Sequence, residues 1–209
     1  MDFSQRMSRF LDQLERDIYP EPPTPSGLLP HVRESIARLV RLYPQREGAK
    51  VLDIGCGTGF ALKTFAEFGL DPTGIALGKD VQDCLAQGLH AVEMNLSHLD
   101  FADQSFDIVW SRHSLEHSPF PLFTLMEINR ITKLYGLVYI EVPAAESAAT
   151  HELNPNHYSV LGKSMLLSLF ERAGFQVLKS RDIEGTTHLG APDTYWTFIL
   201  SKVQTAYRD

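Results

Sequence analysis

The sequence predicts an α/β fold: a mainly parallel sheet with helices on both faces and an antiparallel hairpin at its C-terminal edge. Three observations predict it. From Lys50 onward, short apolar runs alternate with helical patterns. The first run, Val51 to Ile54, breaks into a helical pattern through three glycines at alternate positions, Gly55, Gly57 and Gly59. The last two strand-like runs, Phe175 to Lys179 and Tyr195 to Val203, have no helical pattern between them.

The elements follow in order. Phe3, Met7, Phe10, Leu11, Leu14 and Ile18 recur at helical spacing, so residues 3–18 form an amphipathic helix. Four prolines within residues 20–25 then exclude helix and strand and leave an extended connector over 19–27. Val32, Ile36, Leu39, Val40 and Tyr43 share one face of a second helix over 31–43. Strands are expected at 50–54, 73–77, 90–94, 106–110 and 136–142, and helices at 59–68, 79–87, 119–132 and 163–173. With the last two runs this makes seven strands, and 209 residues suffice for one such domain with a short extension.

Composition bounds the function. Hydrophobic residues make up 44%, a globular value. No apolar run approaches the ~20 residues of a membrane span, and Met1 to Arg6 lack the apolar core of a signal peptide. Cys56 and Cys84 form no disulfide framework and read as reduced thiols, so a cytoplasmic protein is expected. Net charge is −7, with no lysine or arginine cluster beyond the first 50 residues, so no nucleic-acid partner is expected. Oligomeric state leaves no trace in the chain.

The glycine turn carries the chemistry. A strand that turns into a helix through glycines lets a ligand lie on bare backbone over the helix N-terminus. A dinucleotide fingerprint would need its third glycine at Phe60. Here the spacing is Gly-x-Gly-x-Gly, with Asp53 two residues before it. This resembles motif I of the class I S-adenosylmethionine (SAM) dependent methyltransferases. Further stretches are similar to that family: Leu99 to Val109 with Ser105-Phe106-Asp107, Leu115-Glu116-His117, Leu125 to Ile131, Ile140 to Pro143, and Ala173-Gly174-Phe175. The resemblance runs from about Lys50 to Val203 and implies a Rossmann-like, seven-stranded sheet.

The resemblance also implies site roles. The methionine end of SAM would lie over Gly55, Cys56, Gly57 and Gly59, with Asp53 meeting its amino group. The family places an acid for the ribose hydroxyls at the end of the second strand, but this chain has Ala76, followed by Leu77. Asp80, or backbone of Leu77 or Gly78 with water, would have to substitute. Asn95 and Leu96 would contact the adenine. Residues 1–45 would form a lid over a methyltransferase domain of residues 46–209.

Candidates for the reaction lie after the fourth and fifth strands: His113, Glu116 and His117, then Glu141, His151, His157 and Tyr158. On a helical turn His113, Glu116 and His117 would share one face. They also resemble the metal-binding Glu-x-x-Glu-His of the ubiquinone-pathway O-methyltransferases. The same Leu-Glu-His occurs in metal-free methyltransferases, and a metal-free reading is preferred. The expectation is methyl transfer from SAM to a small-molecule acceptor, at oxygen, with His113, His117 and His157 as candidate bases. The alternative is a degenerate methyltransferase fold used as a binding or regulatory module, which Ala76 favours. A nucleotide-dependent oxidoreductase is opposed by Phe60 and Ala76.

Overall fold

A computed structural model describes residues 1–16, 26–43, 47–145, 147–187 and 190–207. Two helices come first, α1 (Phe3–Arg16) and α2 (Leu29–Leu42). The alternating part follows as β1 (Lys50–Ile54), α3 (Phe60–Glu67), β2 (Asp71–Ala76), α4 (Lys79–Ala86), β3 (Ala91–Glu93), β4 (Phe106–Arg112), α5 (Pro121–Ile131), β5 (Thr132–Pro143) and α6 (Lys163–Arg172). The chain closes with β6 (Phe175–Thr186) and β7 (Pro192–Lys202). Residues 19–25 of the expected proline connector lie outside the described residues. Among the described residues no helix is long and apolar enough to cross a membrane.

The seven strands form one sheet in the order β3-β2-β1-β4-β5-β7-β6. The first five pair in parallel, and β7 runs antiparallel to both β5 and β6. The fold class and the hairpin are as the sequence predicts. The chain winds outward from β1 in one direction through β2 and β3, and in the other through β4 and β5. The reversal opens a crevice at the carboxyl ends of β1 and β4, where ligands bind in such sheets.

Alternate strand residues build two cores. Leu52, Ile54, Val109, Val138 and Ile140 face α5 and α6 through Leu125, Ile128, Leu166 and Phe170. Their neighbours Val51, Ile108, Trp110 and Tyr139 face α2 and α3 through Ile36, Leu39, Val40 and Phe65. Trp110 stacks on Tyr139 at 4.0 Å between centroids. Each buried aliphatic or aromatic side chain contributes about 1.5–3 kcal/mol. α2 is therefore part of the core, and the lid expectation rests on α1, whose Phe10 meets Phe120 edge-on at 5.8 Å.

Two boundaries differ most from expectation. β6 continues seven residues past Lys179, to Thr186. It is an edge strand with most side chains exposed, so apolar alternation is missing there, while pairing with β7 holds it from Phe175 to Thr186. β5 begins at Thr132, directly after α5, rather than at 136.

Motif acids act as stitches. Asp107 accepts the Lys50 N–H at 2.9 Å, the Tyr43 hydroxyl at 2.6 Å and Lys133 Nζ at 2.8 Å. Burial alone would raise its carboxyl, but these donors hold it below the usual range. Arg130 bonds Glu127 and the carbonyls of Leu99 and Phe101, fixing the loop before β4.

Asp107→Ala would leave the Lys50 N–H and the Tyr43 hydroxyl without their acceptor. The expected loss is about 2–4 kcal/mol of stability, read as a lower urea midpoint at unchanged slope. A midpoint within experimental scatter of the parent would show that this stitch carries little.

Candidate functional site

The crevice is floored by the turn from β1 to α3. Gly55, Gly57 and Gly59 all hold positive φ, at 72°, 49° and 84°, which other residues adopt at a cost. Their surroundings differ. A Cβ on Gly55 would strike Ser114 Oγ, and one on Gly59 would strike Leu89. A Cβ on Gly57 would meet nothing within 4 Å, so the space over Gly57 is open. Cys56 turns inward, its sulfur 3.9 Å from that of Cys84, which in turn donates to the Gly57 carbonyl at 3.2 Å. Burial pushes both thiols up, so they remain protonated and shape the turn.

Asp53, on β1 just below the turn, is 2% exposed, and its Oδ2 has no hydrogen-bond partner among the described residues. Burial raises its carboxyl to about 7, opposed only in part by Arg112. A buried carboxylate oxygen without a donor is costly unless a ligand supplies one. Together with the open backbone over Gly57, it fits the cationic amino group expected of SAM.

At the end of β2, Ala76 is buried and offers no acceptor. The register places Glu93 of β3 directly beside it. Glu93 Oε1 accepts the Gly78 N–H at 3.1 Å, which draws this exposed carboxylate toward the turn between β2 and α4. Sequence reasoning missed Glu93, although its position as the last residue of β3 was a signal. Asp80, in the first turn of α4, is half-buried, and burial followed by Asp83 raises its carboxyl. Leu77 is half-buried beside Ala76. Asn95 accepts the Ser97 N–H at 2.9 Å. Leu96 is half-buried and packs on the main core.

The turn after β4 is not the single helical face expected. His113 has a left-handed φ of 51°, and Leu115–His117 form a separate 3-10 turn. This break separates His113 from His117. His113 Nε2 lies 3.0 Å from Glu141 Oε1, and its Nδ1 lies 3.7 Å from Glu116 Oε1. Burial alone would lower its pKa, but the two carboxylates raise it. Contacts to two acids brace His113 against the turn.

The structure pairs His117 with His157 instead, with ring centroids 4.9 Å apart. The connecting loop is sewn down by the N–H groups of Tyr158 and Ser159, both bonded to the Glu116 carbonyl at 2.9 Å. His117 Nδ1 donates to the Asn156 carbonyl at 3.0 Å, and His157 Nδ1 donates to the His151 carbonyl at 2.7 Å. Both donations put the ring lone pair on Nε2. The His157 Nε2 accepts from Asn154 at 3.3 Å. Glu116, His117 and His157 each offer one ligand atom, all within 4.8 Å of one another. Glu116 Oε2 is buried and has no hydrogen-bond partner among the described residues. Tyr158 is exposed beside them.

Residues 29–180 match the family described as methyltransferase domain. The chain is 29% identical over 150 residues to an uncharacterized protein of Methanocaldococcus jannaschii, covering 72% of this chain and 65% of that one. It is 27% identical over 143 residues to a ubiquinone biosynthesis O-methyltransferase of Methylococcus capsulatus, covering 65% and 58%. The chain thus spans less than two thirds of the length of these curated relatives. Its fold is similar to that of a SAM-dependent methyltransferase from Archaeoglobus fulgidus, with TM-score 0.66 at 23% identity over 81% of this chain and 94% of that one.

A cationic ligand group set against Asp53 is expected to bind with a pH-dependent affinity. The Asp53 carboxyl is raised to about 7 before a ligand arrives. A cationic amino group needs the ionised form, so binding should be strong above pH 7 and fade below it. S-adenosylhomocysteine affinity measured by calorimetry should rise about five- to tenfold between roughly pH 6 and pH 7.5. Asp53→Asn should flatten that profile. A flat profile in the parent protein would sink this account of Asp53.

Proposed function

The chain belongs to the methyltransferase domain family, and on that premise we propose that it moves the methyl group of SAM to an oxygen of a small-molecule acceptor. The observation that carries this reading is the unpartnered, buried Asp53 carboxylate beside open backbone at Gly57. When bound, SAM supplies an electrophilic methyl group on a sulfonium. The protein's task is to hold it, align the acceptor and remove one proton.

Asp53 takes the amino group, and the backbone over Gly55, Gly57 and Gly59 receives the methionine end. Glu93, with Asp80 as a second carboxylate, takes the ribose hydroxyls in place of an acid at Ala76. Asn95 meets the adenine edge, with Leu77 and Leu96 giving apolar cover. His117 is the base: its Nε2 makes no hydrogen bond among the described residues, while its Nδ1 is fixed on the Asn156 carbonyl. His157 lies against His117 and positions it, and His113 braces the turn between Glu116 and Glu141. α1 closes over the crevice as the lid. The free thiols Cys56 and Cys84 fit a cytoplasmic setting. The oxygen acceptor is supported by the printed activity of the ubiquinone-pathway relative. A degenerate binding module is disfavoured because Glu93 restores a carboxylate where Ala76 removes one.

A second reading has a specific observation behind it. Glu116, His117 and His157 could hold a divalent cation, since their ligand atoms converge and Glu116 Oε2 is unpartnered. This set replaces the grouping of His113, Glu116 and His117 expected from spacing.

Two experiments test these assignments. Glu93→Ala should weaken S-adenosylhomocysteine about 10–100-fold, the scale of one charged hydrogen bond. Ala76→Asp in that background should restore binding. If Asp80→Ala weakens binding and Glu93→Ala does not, the ribose carboxylate is Asp80. In the second experiment, release of S-adenosylhomocysteine is followed with a panel of hydroxyl acceptors. A chelator should have no effect, and the rate should rise through a histidine-like pKa. His117→Ala should cost about a hundredfold or more. Activity lost to chelator and regained with added metal would establish the second reading instead.

A further inference from the structure

A cavity of about 540 Å³ lies between α2 and the β6–β7 hairpin, outside the crevice described above. Its walls are cationic on both sides. Arg38 and Arg41 lie three residues apart on α2 and so share a side of that helix. Lys179 and Arg181 lie two apart on β6 and so share a face of the sheet. Among the described residues the cavity is lined by no carboxylate, in a chain with 26 acids against 19 lysines and arginines. Like charges gathered around one space repel.

The nearby acids are already engaged. Glu34 pairs with Arg38 along the exposed helix surface, where solvent screens the contact. Glu141 sits behind Tyr139 and is matched by Arg112 and His113. Lys179 and Arg181 are exposed and make no ion pair among the described residues. The floor is amphipathic, with Ile199 paired to Lys179 and Thr197 paired to Arg181 across the hairpin. Charge at the walls and an apolar floor are what a compact ligand with an ionic group and a neutral body requires.

We propose that this groove binds a small molecule bearing a phosphate, or an equally charged oxyanion, between Arg38 and Arg41 on one side and Lys179 and Arg181 on the other. Phosphate presents several acceptor oxygens to donors arriving from opposite directions, which matches two facing pairs of cations better than a single carboxylate does. Thr197 is also level with Glu141 at the carboxyl end of β5, so one end of the groove reaches the height of the crevice. The site stands on its own lining and does not depend on the methyltransferase reading.

The test uses inorganic pyrophosphate, titrated calorimetrically into the full chain in low salt, with and without saturating S-adenosylhomocysteine. One saturable site is expected, weakened several-fold on raising salt to about 0.15 M. Lys179→Gln/Arg181→Gln should weaken it about tenfold or more while S-adenosylhomocysteine affinity stays unchanged. A control that removes two cations elsewhere, Lys63→Gln/Arg172→Gln, should leave pyrophosphate binding within about twofold. If the double variant also loses S-adenosylhomocysteine, the single Arg181→Gln decides, because its exposed side chain has no ion pair to lose. Absence of saturable binding, binding indifferent to Lys179 and Arg181, or equal loss in the control would overturn the proposal.

Discussion

Glu141 is the group on which the site's geometry depends. It is 2% exposed at the carboxyl end of β5. Its Oε1 meets Arg112 Nε at 2.8 Å and His113 Nε2 at 3.0 Å, and its Oε2 takes the Tyr139 hydroxyl at 2.5 Å. Its backbone carbonyl accepts the His113 N–H at 2.9 Å. Burial alone would raise this carboxyl, yet His113 and Arg112 hold it at about 2. Because its folded pKa lies below the ordinary value, the stability it contributes is present above about pH 4.5 and is lost as pH falls toward 2. A buried ion pair is no sure source of net stability, since desolvation offsets much of the attraction. Its effect here is geometric. It fixes the left-handed turn at His113, which sets where Glu116 and His117 go.

Two buried carboxylates at one end of the sheet therefore have opposite states. Glu141 is saturated with donors and stays charged. Asp53 has an oxygen with no donor and is pushed up to about 7. A group that is already satisfied organises the protein, while a buried oxygen left unsatisfied marks a functional-site candidate. Arg112 contributes to both, lying on Glu141 and lowering Asp53 at longer range.

What was legible in the sequence follows from the range of the forces involved. The β1 turn was readable because its cause is local: a buried strand, three backbone angles open only to glycine, and a helix start. Parallel pairing could be expected because alternating strands and helices impose it. β6 past Lys179 was not readable, because an edge strand exposed on both faces has no apolar period and is held by pairing with β7. The face shared by His113, Glu116 and His117 failed because spacing assumes a helix, and the backbone turns left-handed at His113. Glu93, and the pairing of His157 with His117, were not readable for a related reason. One acquires meaning from its register beside Ala76, the other from a loop 40 residues downstream of His117, stitched back to the Glu116 carbonyl.

Charge follows the same logic at larger scale. Read along the chain, Arg38 and Arg41 sit in the N-terminal part and Lys179 and Arg181 near the end, and no cluster is apparent. The fold brings them to one cavity because α2 packs over the sheet at the side where β7 and β6 were added to the five parallel strands. The parallel core and its glycine turn frame the crevice, and they lie within residues 29–180 that match the family. α1 and most of the hairpin lie outside that match, around the crevice. Acceptor choice belongs to such elements, because the core fixes only the position of the methyl donor. The cationic walls lie between α2 and the hairpin, on the boundary between the matched core and the strands added at its edge.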